Sequence, residues 1–175
     1  MARLPLVARE DFPPALNAAV VRGLATRMLS STIPVQVWAH RPDAALAWLA
    51  LLDQLHNHSL LDERLRELVR LRIAGITTCQ ACRAARKSDR VDASDVEALT
   101  CIGADSPRFS PREQAALRYA EVFATNPHAI GDEHFAALAA VFSTAETVEL
   151  QMYCALMLAG GFMTLVQQAH GEANT

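Results

Sequence analysis

Helix-start signals recur along this chain, and they constrain its fold more than any other feature of the sequence. In a capping box, a Ser side chain and a Glu three residues later each accept a hydrogen bond from the other's free backbone N–H. The pattern occurs at Ser94 and Glu97, Ser110 and Glu113, and Ser143 and Glu146. No segment of strand length alternates cleanly with a period of two. The sequence therefore predicts an all-α fold of about seven or eight helices.

The predicted helices follow from these signals and from helical spacing of the apolar residues. They cover 12–29, 42–56, 62–74, a segment that starts at the cysteine pair, a short helix from Ser94, 110–125, 132–141 and 143–169. Pro34 precedes a further short segment. Gly75 is expected to end the helix over 62–74 in a left-handed cap. Thr77 or Thr78 is expected to cap the helix that carries the cysteines.

Length and composition predict one compact domain. The chain has 175 residues, of which 51% are hydrophobic, and this suits a single helical domain over 34–170 preceded by an arm and helix over 1–33. Residues 152–166 are uncharged and mostly apolar, yet shorter than the ~20 residues of a spanning helix, so a buried core helix is expected there. The segment 62–75 can also be laid over 144–157, which suggests a repeated helical hairpin.

Charge and cysteine usage narrow the class of protein. A net charge of −3 provides no general attraction to nucleic acid or anionic membranes. Glu10 and Asp11 follow a short apolar run at the start, unlike a secretory signal, so a cytoplasmic protein is expected. The four cysteines would stay reduced in that compartment, where a CxxC pair points to catalysis or metal binding.

Cys79 and Cys82 form this CxxC pair. Residues three apart on a helix have Cβ atoms ~5–6 Å apart, and a disulfide needs a Cα separation below ~7 Å. A helix N-terminus favours the thiolate form. Arg83 and Arg86, each four residues after a cysteine, are expected to lie one turn from a sulfur and to add positive charge. These features together favour a reactive redox pair.

Two other interpretations of the pair stay open. A structural zinc site needs four ligands, whereas Cys101 and Cys154 are isolated, and His56 and His58 lie two apart near a loop. Cysteines are also often buried and inert. On ligand count we expect no metal, and no motif indicates a cofactor.

The segment ELVRLRIAGITTCQAC, from Glu67 to Cys82, resembles the carboxymuconolactone decarboxylase and AhpD-like alkylhydroperoxidase superfamily. Glu67 lies twelve residues before Cys79, as in that family. The resemblance implies an all-helical, homo-oligomeric fold with the CxxC near an interface. It also implies that Cys82 attacks a hydroperoxide, that Cys79 then condenses with it to a disulfide, and that a dithiol donor reduces that disulfide. Glu67 would be the base of a proton relay.

The chain departs from the family pattern at Arg86, where the family carries its relay histidine. Guanidinium stays protonated and cannot relay a proton as imidazole does. Arg86 can still hold Cys82 as a thiolate or orient an anionic substrate. The predicted function is a thiol oxidoreductase, either an alkylhydroperoxidase with peroxiredoxin-type antioxidant activity or a disulfide reductase.

Two alternatives come from different classes of function. In a lactone-decarboxylating lyase, Arg70, Arg83 or Arg86 would bind substrate carboxylates and Glu67 would handle protons. In a non-catalytic oligomeric module the cysteines would be structural. On a helical wheel Glu67 lies opposite the main apolar side with Arg70 three residues on, so it is either a surface ion pair or part of a second packed surface.

Overall fold

Nine α-helices make up most of residues 2–169, the part of the chain that this computed structural model describes. They are α1 (Pro14–Ala25), α2 (Ile33–Trp38), α3 (Pro42–Asn57), α4 (Glu63–Ile76), α5 (Gln80–Ala84), α6 (Ala93–Cys101), α7 (Pro111–Thr125), α8 (Asp132–Ala139) and α9 (Thr144–Gln167). Three short 3-10 turns lie at Arg9–Asp11, Gly103–Asp105 and Pro127–Ala129. The described residues contain no strand, and the all-α prediction is confirmed.

The helices group into two compact units. One comprises 2–59 with 162–169, and the other comprises 60–161. In the first, Trp38 and Trp48 pack edge to face with ring centroids 6.0 Å apart, and the Trp38 indole donates a hydrogen bond to Gln167. The division into an arm over 1–33 and a domain over 34–170 stays a prediction, and its outer residues 1 and 170 lie outside the described part.

Helix α4 is the most deeply buried helix of the unit formed by 60–161. Asp62 caps its N-terminus by accepting a hydrogen bond from the Leu65 backbone N–H at 2.9 Å. Leu65, Leu68 and Val69 are fully buried. Burying such side chains contributes roughly 1.5–3 kcal/mol each, before the entropy of ordering them is subtracted. This packing fixes the position of α4, and with it the positions of the buried Glu67 and Arg70 side chains.

A cluster of charged side chains joins α4 to α6 and α7. Arg64 donates to the carboxylate of Asp95 at 2.6 Å and to that of Glu113 at 2.8 Å. Arg108 also donates to Asp95, at 3.0 Å. Asp95 is only 1% exposed, and the Arg64 guanidinium holds its pKa well below the usual range. The cluster supports the helices around α4 rather than forming a reactive site.

The structure confirms two of the three predicted capping boxes. Ser110 and Glu113 exchange side-chain hydrogen bonds with each other's backbone N–H, and so do Ser143 and Glu146. The box predicted at Ser94 and Glu97 is wrong, because Asp92 and Asp95 form the box that opens α6. Aspartate satisfies helix-start N–H groups as well as serine does, and Asp95 is additionally held by Arg64.

Helix α9 is buried on one face only, which differs from the core helix expected over 152–166. Leu150, Tyr153, Cys154, Leu156 and Gly161 are buried, whereas Met152, Phe162, Leu165 and Val166 are exposed. Within the described part, α9 is the one helix long and apolar enough to cross a membrane. That is weak evidence, since core helices of soluble proteins often have the same length and composition.

Candidate active site

The cysteine pair lies at a sharp break between α4 and α5. Helix α4 runs one residue past Gly75, so the predicted glycine cap is wrong. The Thr77 hydroxyl donates to the Ile73 carbonyl, so Thr77 belongs to the end of α4 instead of capping α5. Thr78 then takes the left-handed conformation, with φ of 52°. A left-handed residue changes the direction of the chain within a single residue, and Cys79 is the next residue.

Cys79 occupies the capping position of α5, and Cys82 lies inside that helix. The Cys79 carbonyl accepts the first hydrogen bond of α5, from the Arg83 N–H at 2.9 Å. The cysteines form a disulfide with a Cα separation of 5.3 Å, and the Cys82 N–H donates to the Cys79 sulfur at 3.3 Å. Cys79 is 4% exposed, while Cys82 is half-buried. Cys82 is therefore the sulfur that a substrate reaches more easily.

Glu67 lies on α4 beneath the cysteine pair and forms a buried ion pair with Arg70. The two side chains are 2% and 4% exposed. The Arg70 Nε and Nη2 groups donate to the two carboxylate oxygens of Glu67, both at 2.7 Å. The pair uses the forked geometry that a planar guanidinium and a carboxylate share. The alternative of a surface Glu–Arg pair is thus wrong, because both charges are removed from solvent.

Arg70 also contacts the segment that carries the cysteines. Its Nη1 donates to the Cys82 carbonyl at 2.6 Å, and its Nη2 donates to the Ala85 carbonyl at 2.8 Å. The Lys87 backbone N–H donates in turn to Glu67 at 3.1 Å. The ion pair on α4 therefore binds the backbone at three points between residues 82 and 87. The structure thus brings Glu67, Cys79 and Cys82 together, with Arg70 as the link.

Arg86 lies close to the pair in sequence, but its position differs from the expected one. Helix α5 ends at Ala84, so Arg86 falls beyond it and helical spacing from Cys82 no longer applies. The exposed Arg86 guanidinium donates to the carbonyls of Arg83 and Ala85. The Arg83 side chain is exposed. The prediction that each arginine lies one helical turn from a sulfur is wrong for Arg86, because the helix is too short.

Two further titratable side chains lie near the ion pair. The Lys87 side chain is half-buried, and desolvation followed by the nearby Arg70 charge lowers its pKa to about 8, against the opposing pull of Glu67. Tyr153 on α9 is 2% exposed, and burial raises the pKa of its phenol. The charges of Arg70 and Glu67 also act on Tyr153. Of these two groups, Lys87 is the one whose pKa lies near neutral pH.

Among residues 2–169, the remaining cysteines and the histidines do not join this site. Cys101 is exposed, and Cys154 is fully buried; burial raises the pKa of the Cys154 thiol to about 12. Such a thiol stays protonated and unreactive at neutral pH. No group of three or more His, Cys, Asp or Glu side chains within residues 2–169 is arranged to hold a metal ion.

Sequence reasoning did not identify the altered pKa of Lys87 or the contacts of Arg70 with backbone carbonyls. The lowered pKa of Lys87 had no signal in the sequence, since it arises from burial and from Arg70. Arg70 was visible three residues after Glu67, and that spacing was the available signal for the ion pair. Its contacts with the Cys82 and Ala85 carbonyls exist because the chain turns back at Thr78 and lays α5 against α4.

The chain is similar in sequence to known proteins. The family model described as "Carboxymuconolactone decarboxylase family" matches residues 42–122. The Escherichia coli protein YnjA, itself described as uncharacterized, is 29% identical over 126 residues, which cover 67% of this chain and 66% of YnjA. The chain spans less than two thirds of the length of the curated relatives it matches.

Solved structures with the same fold have diverse descriptions. The AhpD core of an uncharacterized peroxidase-related protein from Ralstonia eutropha JMP134 matches with a TM-score of 0.76 at 18% identity, covering 98% of this chain and 92% of that one. The debrominase Bmp8 matches with a TM-score of 0.80 at 22% identity, with the same coverage. A cysteine-to-alanine variant of Bmp8 was solved in complex with 2,3,4-tribromopyrrole. At these identities the likeness confirms the AhpD-like fold alone.

Proposed function

We propose that this chain, whose residues 42–122 match the carboxymuconolactone decarboxylase family model, is a member of the carboxymuconolactone decarboxylase/AhpD-like superfamily and a dithiol oxidoreductase whose reacting groups are Cys82 and Cys79. The observation that carries the proposal is the pairing of the two sulfurs in one disulfide, with Cys82 more accessible than Cys79. An accessible attacking thiol beside a buried resolving thiol is the arrangement that cyclic thiol oxidation requires.

With a hydroperoxide as substrate, the Cys82 thiolate attacks the terminal oxygen and the O–O bond breaks. Cys82 becomes a sulfenic acid, and the alkoxide leaves and takes up a proton to become an alcohol. The Cys79 thiolate then attacks the Cys82 sulfur, expelling hydroxide, which is protonated to water. A dithiol donor reduces the resulting disulfide by two successive exchange steps, so two electrons pass from the donor to the peroxide.

The alkoxide needs a proton donor, and Lys87 is the donor that we propose. Glu67 is held in its ion pair with Arg70, and Arg86 stays protonated throughout. With a pKa of about 8, the Lys87 ammonium can release a proton to an alkoxide and regain it near neutral pH. Arg86 then contributes positive charge near the dithiol, and Glu67 contributes structure.

Disulfide exchange is the second reaction that this dithiol supports, within the same class of activity. In this exchange a thiolate attacks a disulfide sulfur and displaces a second thiolate, so the reaction depends less on a proton donor. The two are separated by treating the reduced protein with one equivalent of cumene hydroperoxide or of oxidised glutathione and following intact mass with time. Conversion of the thiols to the Cys79–Cys82 disulfide by either oxidant supports the proposal. Two intact thiols after both treatments at neutral pH would contradict it.

The lyase alternative is less well supported by the contacts at the site. Arg70 uses four hydrogen bonds on Glu67 and on backbone carbonyls, and Arg86 donates to the carbonyls of Arg83 and Ala85. A carboxylated lactone bound by Arg70 or Arg86 would therefore have to displace these contacts. Turnover of such a lactone by a Cys79→Ser, Cys82→Ser variant would favour the lyase over the dithiol enzyme. Debromination of 2,3,4-tribromopyrrole, the ligand of the Bmp8 variant, is a third substrate to assay.

The remaining features of the proposal concern assembly and place of action. We propose a homo-oligomer in the cytoplasm, with a hydroperoxide or disulfide as substrate and a dithiol protein or small molecule as electron donor. The exposed apolar side chains of α9 within 144–161, among them Val148 and Met152, supply surface for subunit packing. Light scattering coupled to gel filtration measures the subunit number directly, and a monomer at micromolar concentration would contradict this part of the proposal.

A further inference from the structure

We infer that Arg70 is a positioning residue for the dithiol: it holds the α5 backbone so that Cys82 stays beside Cys79 after the disulfide is reduced. This inference rests on the proposed dithiol chemistry. It assigns a role to a side chain that does not touch a substrate or a sulfur. We use the name Arg70 clamp for four groups: the Arg70 guanidinium, the Glu67 carboxylate, and the carbonyls of Cys82 and Ala85.

In the Arg70 clamp, one planar guanidinium donates four hydrogen bonds that join α4 to the backbone around Cys82. Two parallel hydrogen bonds of 2.7 Å fix the guanidinium plane on Glu67. From that plane, Nη1 reaches the Cys82 carbonyl at 2.6 Å and Nη2 reaches the Ala85 carbonyl at 2.8 Å. The Glu67 and Arg70 side chains are almost fully buried, so the two bonds between them are worth more than they would be on the surface. The bonds to the Cys82 and Ala85 carbonyls are part-buried.

Helix α5 needs this support because it is only five residues long. A helix that short is not stable by itself, since nucleating the first turn costs more than one or two hydrogen bonds return. The last carbonyls of any helix also lack partners inside the helix. The clamp supplies charged donors to the carbonyls of Cys82 and Ala85. These bonds fix the backbone from which the Cys82 side chain extends.

The disulfide itself fixes Cys82 in the oxidised protein, whereas in the reduced protein only the backbone does so. A clamp that persists after reduction keeps the effective concentration of one thiol around the other high. High effective concentration favours disulfide closure and accelerates attack of Cys79 on an oxidised Cys82. Arg70 should therefore make the disulfide harder to reduce, by an equilibrium effect that does not depend on any substrate.

Arg70 also places a positive charge near Cys82, so charge and geometry must be separated by the choice of variant. Arg70→Lys keeps the charge, but a lysine ammonium lacks the planar fork and cannot hold Glu67 and two carbonyls at once. Arg72→Lys is the matched control. It lies on the same helix, and its guanidinium is paired with Glu121 at 2.7 Å and donates to the Leu99 carbonyl, away from the cysteines.

The experiment equilibrates each full-length variant with mixtures of reduced and oxidised glutathione and quantifies the Cys79–Cys82 disulfide by mass spectrometry after acid quenching. In the forward direction two glutathione thiols become one glutathione disulfide as the protein disulfide becomes two thiols. We expect R70K to lower the effective concentration of the dithiol about tenfold, a change of about 30 mV toward easier reduction. R72K should match the parent protein within a factor of two.

A second measurement excludes a trivial effect of charge. The pH dependence of Cys82 alkylation by iodoacetamide should be nearly the same in R70K and in the parent, because the charge is kept. An unchanged effective concentration in folded R70K would overturn the inference. A loss of the native circular dichroism spectrum by R70K in both redox states would also overturn it, because Arg70 would then stabilise the whole unit formed by 60–161. Loss of the spectrum in the reduced state alone would support it. Inert thiols in the parent protein would instead refute the proposed function.

Discussion

Replacing Glu67 by glutamine tests the burial of the ion pair beneath the dithiol. Glu67 and Arg70 are 2% and 4% exposed and share two hydrogen bonds of 2.7 Å. Glutamine is neutral and presents one carbonyl oxygen, so the guanidinium would remain charged and buried with one strong acceptor lost. Removing one member of a buried ion pair costs about 3–5 kcal/mol. We expect Glu67→Gln to lower the free energy of unfolding by about this amount.

Glu121→Gln provides the comparison. Glu121 pairs with Arg72 at the same distance of 2.7 Å, but the two side chains are 27% and 25% exposed. Partly solvated pairs contribute roughly 1 kcal/mol or less, so this variant should be affected much less. The double variant Glu67→Leu, Arg70→Met removes both charges. It should cost less than the sum of the two single changes, because neither charge is left without its partner.

Urea unfolding followed by far-UV circular dichroism measures these free energies, with the disulfide kept oxidised in every sample. Circular dichroism is the appropriate signal because Trp38 and Trp48 both lie in the other compact unit. Tryptophan fluorescence recorded in parallel shows whether the two units unfold in one transition. If Glu67→Gln costs no more than Glu121→Gln, the ion pair is solvated in solution, and the account of Glu67 as a buried structural anion is wrong.

Further predictions concern protons and thiols. If the Lys87 ammonium protonates the leaving alkoxide, Lys87→Gln should slow peroxide oxidation of Cys82 at neutral pH by tenfold or more, roughly as for other general acids; stopped-flow rates equal to the parent would contradict this. The Ser143 N–H and Arg112 lower the pKa of Glu146 from 4.5 to about 2, so the stability that it contributes is complete above pH 4.5 and is lost as the pH falls toward 2. In Glu146→Gln, urea unfolding at several pH values should show a shallower loss over that range, and an unchanged slope would count against the assignment. Iodoacetamide should modify exposed Cys101 and spare buried Cys154 in the native oxidised protein, and equal labelling of both, read by peptide mass spectrometry, would refute the predicted difference.

Local signals in the sequence were sufficient for most of the helices. The boxes at Ser110 and Ser143 were predictable because their hydrogen bonds join residues three apart, and such contacts form whatever the rest of the chain does. The box at Asp92 was missed because two aspartates and a serine compete within four residues, and the Arg64 and Arg108 contacts favour the arrangement with Asp95 buried. The left-handed residue after α4 was placed on Gly75 but is Thr78, since α4 continues to Ile76.

The sequence by itself determined the all-α fold, the resemblance to the carboxymuconolactone decarboxylase and AhpD-like superfamily, and the twelve-residue spacing between Glu67 and Cys79. These follow from helical periodicity and from residues close in the chain. Only the tertiary structure decided the surroundings of the dithiol. It ends α5 at Ala84, turns Arg86 onto carbonyls, buries Glu67 against Arg70, and lowers the pKa of Lys87. The physical reason is that charge, burial and helix length depend on which segments are packed together, and α5 meets α4 only after the chain has folded back at Thr78.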